Sequence, residues 1–75
     1  MNETARHEMD KQFMIECLSG DVIRMLMEDF GYDMAKAMNL LYTSDTYHKL
    51  ENEGTGLYYQ SSVYLYDMLK EELAL

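Results

Sequence analysis

Few side chains in this sequence have both the type and the spacing that catalysis or metal binding requires. His7 and His48 lie far apart along the chain, and neither has a second histidine or a cysteine at metal-ligand spacing. Asp45 and His48 stand three residues apart and offer a weak ion at most two ligands. Cys17 falls on a predicted apolar helix stripe, which favours an inert core thiol over an activated nucleophile. We therefore expect no catalytic residue, no cofactor and no bound metal.

The serines and carboxylates of this chain are more typical of helix ends than of catalytic or cation-binding sites. Ser19-Gly20 and Ser61-Ser62 are typical of helix caps, because no serine elbow, P-loop or dinucleotide fingerprint surrounds them. Three carboxylates flank a glycine turn and leave two readings open, a cation site or solvated surface charge: Glu28, Asp29 and Asp33. Neither group predicts an enzyme.

Length and charge exclude several classes of protein. Its 75 residues suffice for one small core, and the net charge of −8 opposes binding to nucleic-acid phosphates or to anionic membrane surfaces. Two central helices and their glycine turn resemble a DNA-binding helix-turn-helix, but the second offers only Lys36 and Asn39 to DNA. We expect no nucleic acid and no membrane among the partners, and a partner with a basic surface instead.

The expected compartment is the cytoplasm. The first residues, Met1-Asn2-Glu3-Thr4, lack the basic-then-apolar order of a signal peptide, and no apolar window reaches the ~20 residues of a membrane span. Cys17 is alone, so no internal disulfide is possible. A core this small has a narrow stability margin, which favours self-association, most simply as a homodimer.

Apolar spacing predicts two helices in the first half of the chain. Helix one runs from a cap at Thr4 to Leu18, and its apolar stripe follows four-residue steps: Ala5, Met9, Phe13 and Cys17. Ser19 caps helix two, which continues to Phe30 before a glycine turn.

Three further segments follow. Asp33 caps helix three, which ends near Tyr42, and a short helix follows the cap-rich run Thr43-Ser44-Asp45. Residues 51–60 form a loop in which Leu57-Tyr58-Tyr59 presses onto the helices. Two serines are candidate caps for the last helix: Ser61 and Ser62. The predicted fold is all-α, a compact bundle of four to five short helices in a single domain over residues 1–75, and disorder of residues 1–8 is left open.

Methionine and tyrosine are the residues that could form a binding surface. The eight methionines suit either a core or an adaptable groove, with Met14 and Met27 as the more exposed members and four others predicted to be buried: Met9, Met25, Met34 and Met38. The tyrosines suit either half-buried rings with wet hydroxyls or an interface patch. Five tyrosines are the candidate partner-binding residues: Tyr42, Tyr47, Tyr58, Tyr59 and Tyr64.

With these segments in place, the chain resembles a small bacterial family, domain of unknown function 3791. Family members have a Ser or Thr with Gly opening a second helix, a glycine turn, and a third helix ending in Leu-His-Thr. Ser19-Gly20, Gly31 and Leu41-Tyr42-Thr43 are similar here, with Tyr42 in place of the histidine. The resemblance covers roughly residues 10 to 50. It implies an all-helical fold, no established activity, and neighbouring genes for a protein similar to ADP-ribosyltransferases.

These observations favour a protein–protein interaction module. Acidic residues would steer a basic partner towards the tyrosine-rich end. The candidate partner is the transferase-like neighbour that the resemblance implies, which this chain would regulate. The alternative is a small-molecule sensor in which methionines line a pocket between helices.

Overall fold

The computed structural model describes the backbone of residues 3–75 and the side chains of residues 10–75. This part of the chain holds no strand, and its α-helices are α1 (Glu3–Phe30), α2 (Met34–Tyr42), α3 (Asp45–Glu51) and α4 (Ser62–Leu73). The predicted all-α bundle is confirmed. Expectations for the side chains of His7 and Met9 lie outside the described residues, and disorder of residues 1–8 stays a prediction.

The helix boundary predicted at Ser19 is wrong, because α1 continues through it. The residues of α1 that reach the core recur every three or four positions: Ile15, Leu18, Val22 and Leu26. This stripe keeps one phase across residues 19 and 20, so the core requires no break there. The stripe expected through Phe13 and Cys17 points away from the core, and both side chains are exposed. Cys17 is therefore not a core thiol.

Ser19 is a buried helical residue and not a cap. Its side chain is 3% exposed, and its hydroxyl has no hydrogen-bond partner among the residues that the structure describes. A buried hydroxyl without a partner destabilises a fold, because it has lost its bonds to water. Serine is small enough to be buried at this position of α1, but its hydroxyl gains no hydrogen bond there from the described part of the chain.

The predicted helix ends after residue 30 are present. Gly31 has φ +69°, a left-handed conformation that favours glycine, and its N–H donates to the Met27 carbonyl at 3.0 Å, which ends α1. Asp33 then caps α2 by accepting from the Lys36 N–H at 2.8 Å. This tight connection places α2 alongside α1.

Serine caps start the other two helices. The Ser44 hydroxyl accepts from the Tyr47 N–H at 3.0 Å and donates to the Leu41 carbonyl at 2.6 Å, which joins the end of α2 to the start of α3. Ser61 accepts from the Tyr64 N–H at 3.1 Å at the start of α4. Each cap satisfies a backbone donor that the first helical turn leaves free.

A single core joins all the helices. α1 contacts both α2 and α4, and the segment 51–60 is more ordered than a plain loop because it contains 3-10 turns at Glu53–Thr55 and Leu57–Tyr59. Leu57 and Tyr58 are buried against α1 and α3, as expected of a segment pressed onto the helices. The fully buried large side chains are Val22, Leu26, Leu41, Leu50, Leu65 and Leu69.

Candidate functional site

An open apolar groove lies between α1 and α2. Its volume is about 560 Å³, and apolar atoms make up nearly all of its surface. We call it the methionine groove, and its lining residues are Gly20, Ile23, Arg24, Met27, Glu28, Met34 and Met38. Nothing in the described chain covers it.

The groove exists because α2 has apolar residues on two adjacent sides, and only one of these sides packs into the core. Ala37 and Leu41 face the core and are fully buried. Met34 and Met38 lie one turn apart on the neighbouring side of the helix and are 58% and 38% exposed. Tyr42, one further turn along, is 39% exposed. These three residues form an apolar strip at the surface of the protein.

The methionine predictions are therefore partly wrong. Met34 and Met38 were expected inside and are exposed, whereas Met14 and Met27 were expected outside and pack partly buried against the core. Met25 packs against the core as expected. The spacing of α2 fits burial of either side, so only the position of α1 decides which side is covered.

Gly20 lines the groove in the middle of α1, and no internal contact requires a glycine there. A Cβ atom added to Gly20 would have nothing within 4 Å, and its φ is not positive. Glycine inside a helix destabilises it by about 0.5–1 kcal/mol relative to alanine. What Gly20 supplies is an uncovered stretch of backbone that another molecule can approach closely.

The charged edge of the groove is net acidic. Arg24 is the base at this edge, and its guanidinium lies 3.6 Å from the Asp21 carboxylate and 3.5 Å from that of Glu28. Two carboxylates share one guanidinium, in a chain with a net charge of −8.

The five predicted tyrosines do not form one exposed patch. Tyr42 and Tyr47 meet edge to face with ring centroids 4.9 Å apart, and Tyr58 and Tyr59 form a second pair at 4.4 Å. Tyr64 is half exposed on α4 and belongs to neither pair. The Tyr58 ring is buried at 7% exposure, so little of it is accessible to a partner, and its role in partner binding stays a prediction.

One tyrosine of each pair, Tyr47 or Tyr58, holds its proton more tightly than free tyrosine. Partial burial, followed by the charge of Glu51, raises the pKa of Tyr47. A hydrogen bond with Tyr59, followed by desolvation, raises the pKa of Tyr58. Both hydroxyls therefore stay neutral around pH 7, where they can donate and accept hydrogen bonds but carry no charge.

A second, smaller hollow of about 270 Å³ lies where α3 meets α4. Two of its polar residues, Thr46 and Glu72, are already bonded to each other. The Glu72 carboxylate accepts from the N–H groups of Asp45 and Thr46 at 2.9 and 2.8 Å and from the Thr46 hydroxyl at 2.7 Å. Desolvation opposes ionisation of Glu72, but the Thr46 hydroxyl and the two backbone donors outweigh it, so its pKa lies below the ordinary value. This carboxylate caps α3.

Comparisons of the chain with protein-family models, with curated proteins and with solved structures gave no match. The resemblance to domain of unknown function 3791 therefore stays a prediction, and the function must be argued from the groove itself.

The other candidate ligands are dispersed. Among the residues that the structure describes, no three histidine, cysteine or acidic side chains lie close enough to hold a metal ion. The ring Nδ1 of His48 lies 2.9 Å from the Ser44 carbonyl, and Asp29 accepts from the Tyr66 hydroxyl at 2.7 Å, so both are engaged within the protein. No helix in the searched part of the chain is long and apolar enough to cross a membrane.

Sequence reasoning kept a methionine-lined groove only as an alternative and did not locate it, because it assigned Met34 and Met38 to the core. One signal was available. In α2 the apolar residues cover two adjacent sides of the helix, Ala37 with Leu41 and Met34 with Met38, which is wider than contact with one neighbouring helix needs. A second signal is Gly20, a glycine inside an apolar helical pattern that ends no helix.

Proposed function

We propose that this chain is a protein-interaction module that receives a helical segment of a partner protein in the methionine groove. The observation that carries the proposal is the uncovered apolar surface made by Ile23, Met27, Met34 and Met38 between two helices. Contiguous apolar surface of this kind on a small protein marks interaction sites, because water contact with it is unfavourable.

Helix-in-groove binding explains the residue types. An amphipathic helix laid along the groove would bury its apolar face against the thioethers of Met34 and Met38. Methionine side chains are unbranched and adapt to differently shaped partners. The acidic edge at Glu28 would raise the association rate of a basic partner.

Some of the predicted tyrosines fit this proposal and others do not. Tyr42 extends the strip of Met34 and Met38 and is a natural end of the binding surface. Tyr47 contacts Tyr42 and supports it. Tyr59 and Tyr64 are exposed, and we assign them no part in the groove.

The partner that the sequence resemblance implies is a neighbouring-gene product similar to ADP-ribosyltransferases, which the chain would regulate in the cytoplasm. Co-expression and co-purification at low and high salt tests this pairing. We expect retention that weakens with salt, that is lost in Met34→Ser, and that persists in Val63→Ser, a variant at a residue with the same 58% exposure. Retention by Met34→Ser equal to that of the unaltered chain would contradict the proposal.

A homodimer is the second form of association that the small core favours. Analytical ultracentrifugation across a wide concentration range tests it directly. We expect a monomer–dimer equilibrium, and a strictly monomeric species at high concentration would remove this expectation.

A small-molecule sensor remains the alternative function, because the groove volume of about 560 Å³ lies within the ~300–1,000 Å³ of ligand pockets. Such pockets enclose most of the ligand surface, whereas this groove is open along its length. The dye 1-anilinonaphthalene-8-sulfonate is a suitable apolar probe. Saturable binding of the dye that Met38→Ser abolishes would favour the sensor, and unsaturable or absent binding would favour the interaction module.

A further inference from the structure

We infer that the occupant of the methionine groove is a basic amphipathic helix of another protein, and not a second copy of this chain. The inference rests on the proposed function, since it names the chemistry of the partner at the same groove. Three features carry it: the length of the groove, the charge at its edge, and the absence of a free basic helix face in the described chain.

The length of the groove fits about two turns of helix. The α1 side runs from Gly20 to Glu28, a rise of about 12 Å at 1.5 Å per residue. The α2 side offers Met34 and Met38, one turn apart. A helix with apolar residues at positions i, i+3 or i+4, and i+7 would place its anchors along this line, with Gly20 allowing close approach of its backbone.

The charge at the edge selects a basic occupant. Arg24 is already shared between Asp21 and Glu28, so its charge is more than balanced where it lies. Lysine or arginine on the flank of an incoming helix would be attracted by this excess of carboxylates, whereas glutamate there would be repelled.

A second copy does not supply that helix. In a symmetric dimer through the groove the same acidic edge would be present on both sides, and each copy would carry a net charge of −8. Most of the basic side chains that the structure describes are also engaged. Four of them contact carboxylates or tyrosine rings of their own chain: Lys11, Arg24, Lys36 and Lys70.

Two synthetic peptides test the inference with the full chain. Both are 16-residue helices with an identical leucine and alanine face, and their flanks carry either lysine and arginine or glutamate. Isothermal titration at low and high salt measures their dissociation constants. We expect the basic peptide to bind more weakly at high salt, and the acidic peptide to bind at least about tenfold more weakly than the basic one at low salt.

Matched variants locate the binding. Met34→Ser should raise the dissociation constant for the basic peptide about tenfold, because the complex loses the apolar contact between the peptide and the Met34 side chain. Val63→Ser should leave that constant unchanged within about twofold, and circular dichroism of both variants checks that the helices persist.

Three results would overturn the inference, and they differ in meaning. Equal binding of the two peptides would remove the basic partner but keep the groove as a helix site. No binding of either peptide would remove the proposed function as well. A concentration-dependent dimer of the free chain that Met34→Ser dissociates would assign the groove to a second copy.

Discussion

Two helix junctions of this small protein, α3–α4 and α1–α2, differ in the side chains that they leave without a partner in the chain. At the α3–α4 junction, Glu72 accepts three hydrogen bonds from Asp45 and Thr46, so this carboxylate is bonded within the chain. At the α1–α2 junction, Met34 and Met38 are exposed to water, whereas Ala37 and Leu41 on the adjacent side of α2 are buried. One junction stabilises the fold, and the other retains a surface that suits a partner.

The difference shows which junction carries residues that do not add to the stability of the fold. A glycine in mid-helix and two exposed methionines each lower or fail to raise the stability of the fold. All of them lie at the methionine groove. Substitutions in the core or at the α3–α4 junction should therefore change mainly the free energy of unfolding. Substitutions in the methionine groove should change mainly the binding of a partner.

The largest effect is expected from the core side of α1. Leu26 is fully buried, whereas its neighbour Met27 is partly buried beside the groove. Leu26→Ala should lower the free energy of unfolding by about 2–5 kcal/mol, because it removes buried methyl groups and leaves a cavity. Urea denaturation followed by circular dichroism measures the change. Met27→Ala should be clearly milder, and equal losses at the two positions would show that the groove residues are part of the core.

The next effect concerns the acidic cap of α3. Glu72→Gln should lower the free energy of unfolding by about 1 kcal/mol near neutral pH, since an amide replaces a charged acceptor of three hydrogen bonds. Glu71→Gln is the matched control, because Glu71 borders the same hollow and accepts no side-chain hydrogen bond in the described chain.

This cap also has a defined pH dependence. The pKa of Glu72 is lowered on folding from 4.5, so its contribution is present above that value and is lost as the pH falls through the lower folded pKa. The difference between the unaltered chain and Glu72→Gln should shrink as the pH falls below about 4.5, in parallel urea titrations. A difference that does not vary with pH would exclude this cap.

A stabilising change is expected at Ser19. Its buried hydroxyl has no partner in the described chain, so Ser19→Ala should raise the free energy of unfolding by about 1 kcal/mol. A helix cap at the same position would give a loss of about 0.5–2 kcal/mol on the same substitution. Thermal unfolding of the variant thus decides between one continuous α1 and two helices.

The smallest effect on stability should come with a large effect on binding. Gly20→Ala should stabilise α1 by about 0.5–1 kcal/mol, because alanine is the better helix former and its Cβ meets nothing. The same methyl group narrows the groove, so binding of the basic peptide should weaken. A variant that is stabilised and binds as before would show that Gly20 has no part in the site.

The sequence predicted local structure better than it predicted tertiary packing. The caps at Asp33, Ser44 and Ser61 are local signals, because each depends on a backbone N–H three residues away. Ser19 carries the same local signal, and there the continuous core stripe of α1 overrode it. The cap signal alone therefore does not distinguish a serine that caps a helix, such as Ser44, from a serine inside a helix, such as Ser19.

The position of the groove was harder to predict than the caps, because it depends on which side of a helix remains uncovered. Phe13 and Cys17 have helical spacing and are exposed, whereas Ile15 and Leu18 have equally good spacing and are buried. The phase that continues into Val22 and Leu26 gives one long stripe and is therefore preferred. The same ambiguity in α2 reversed the expected positions of Met34 and Met38.

The methionine methyl groups provide the most direct test that the α1–α2 groove is the working surface of the protein. With ¹³C-methyl methionine in the full chain, titration of the basic peptide should shift the methyl resonances of Met27, Met34 and Met38. The resonances of Met14, Met25 and Met68, which pack against the core, should stay in place. Shifts confined to the second group, or equal shifts in both groups, would contradict the account.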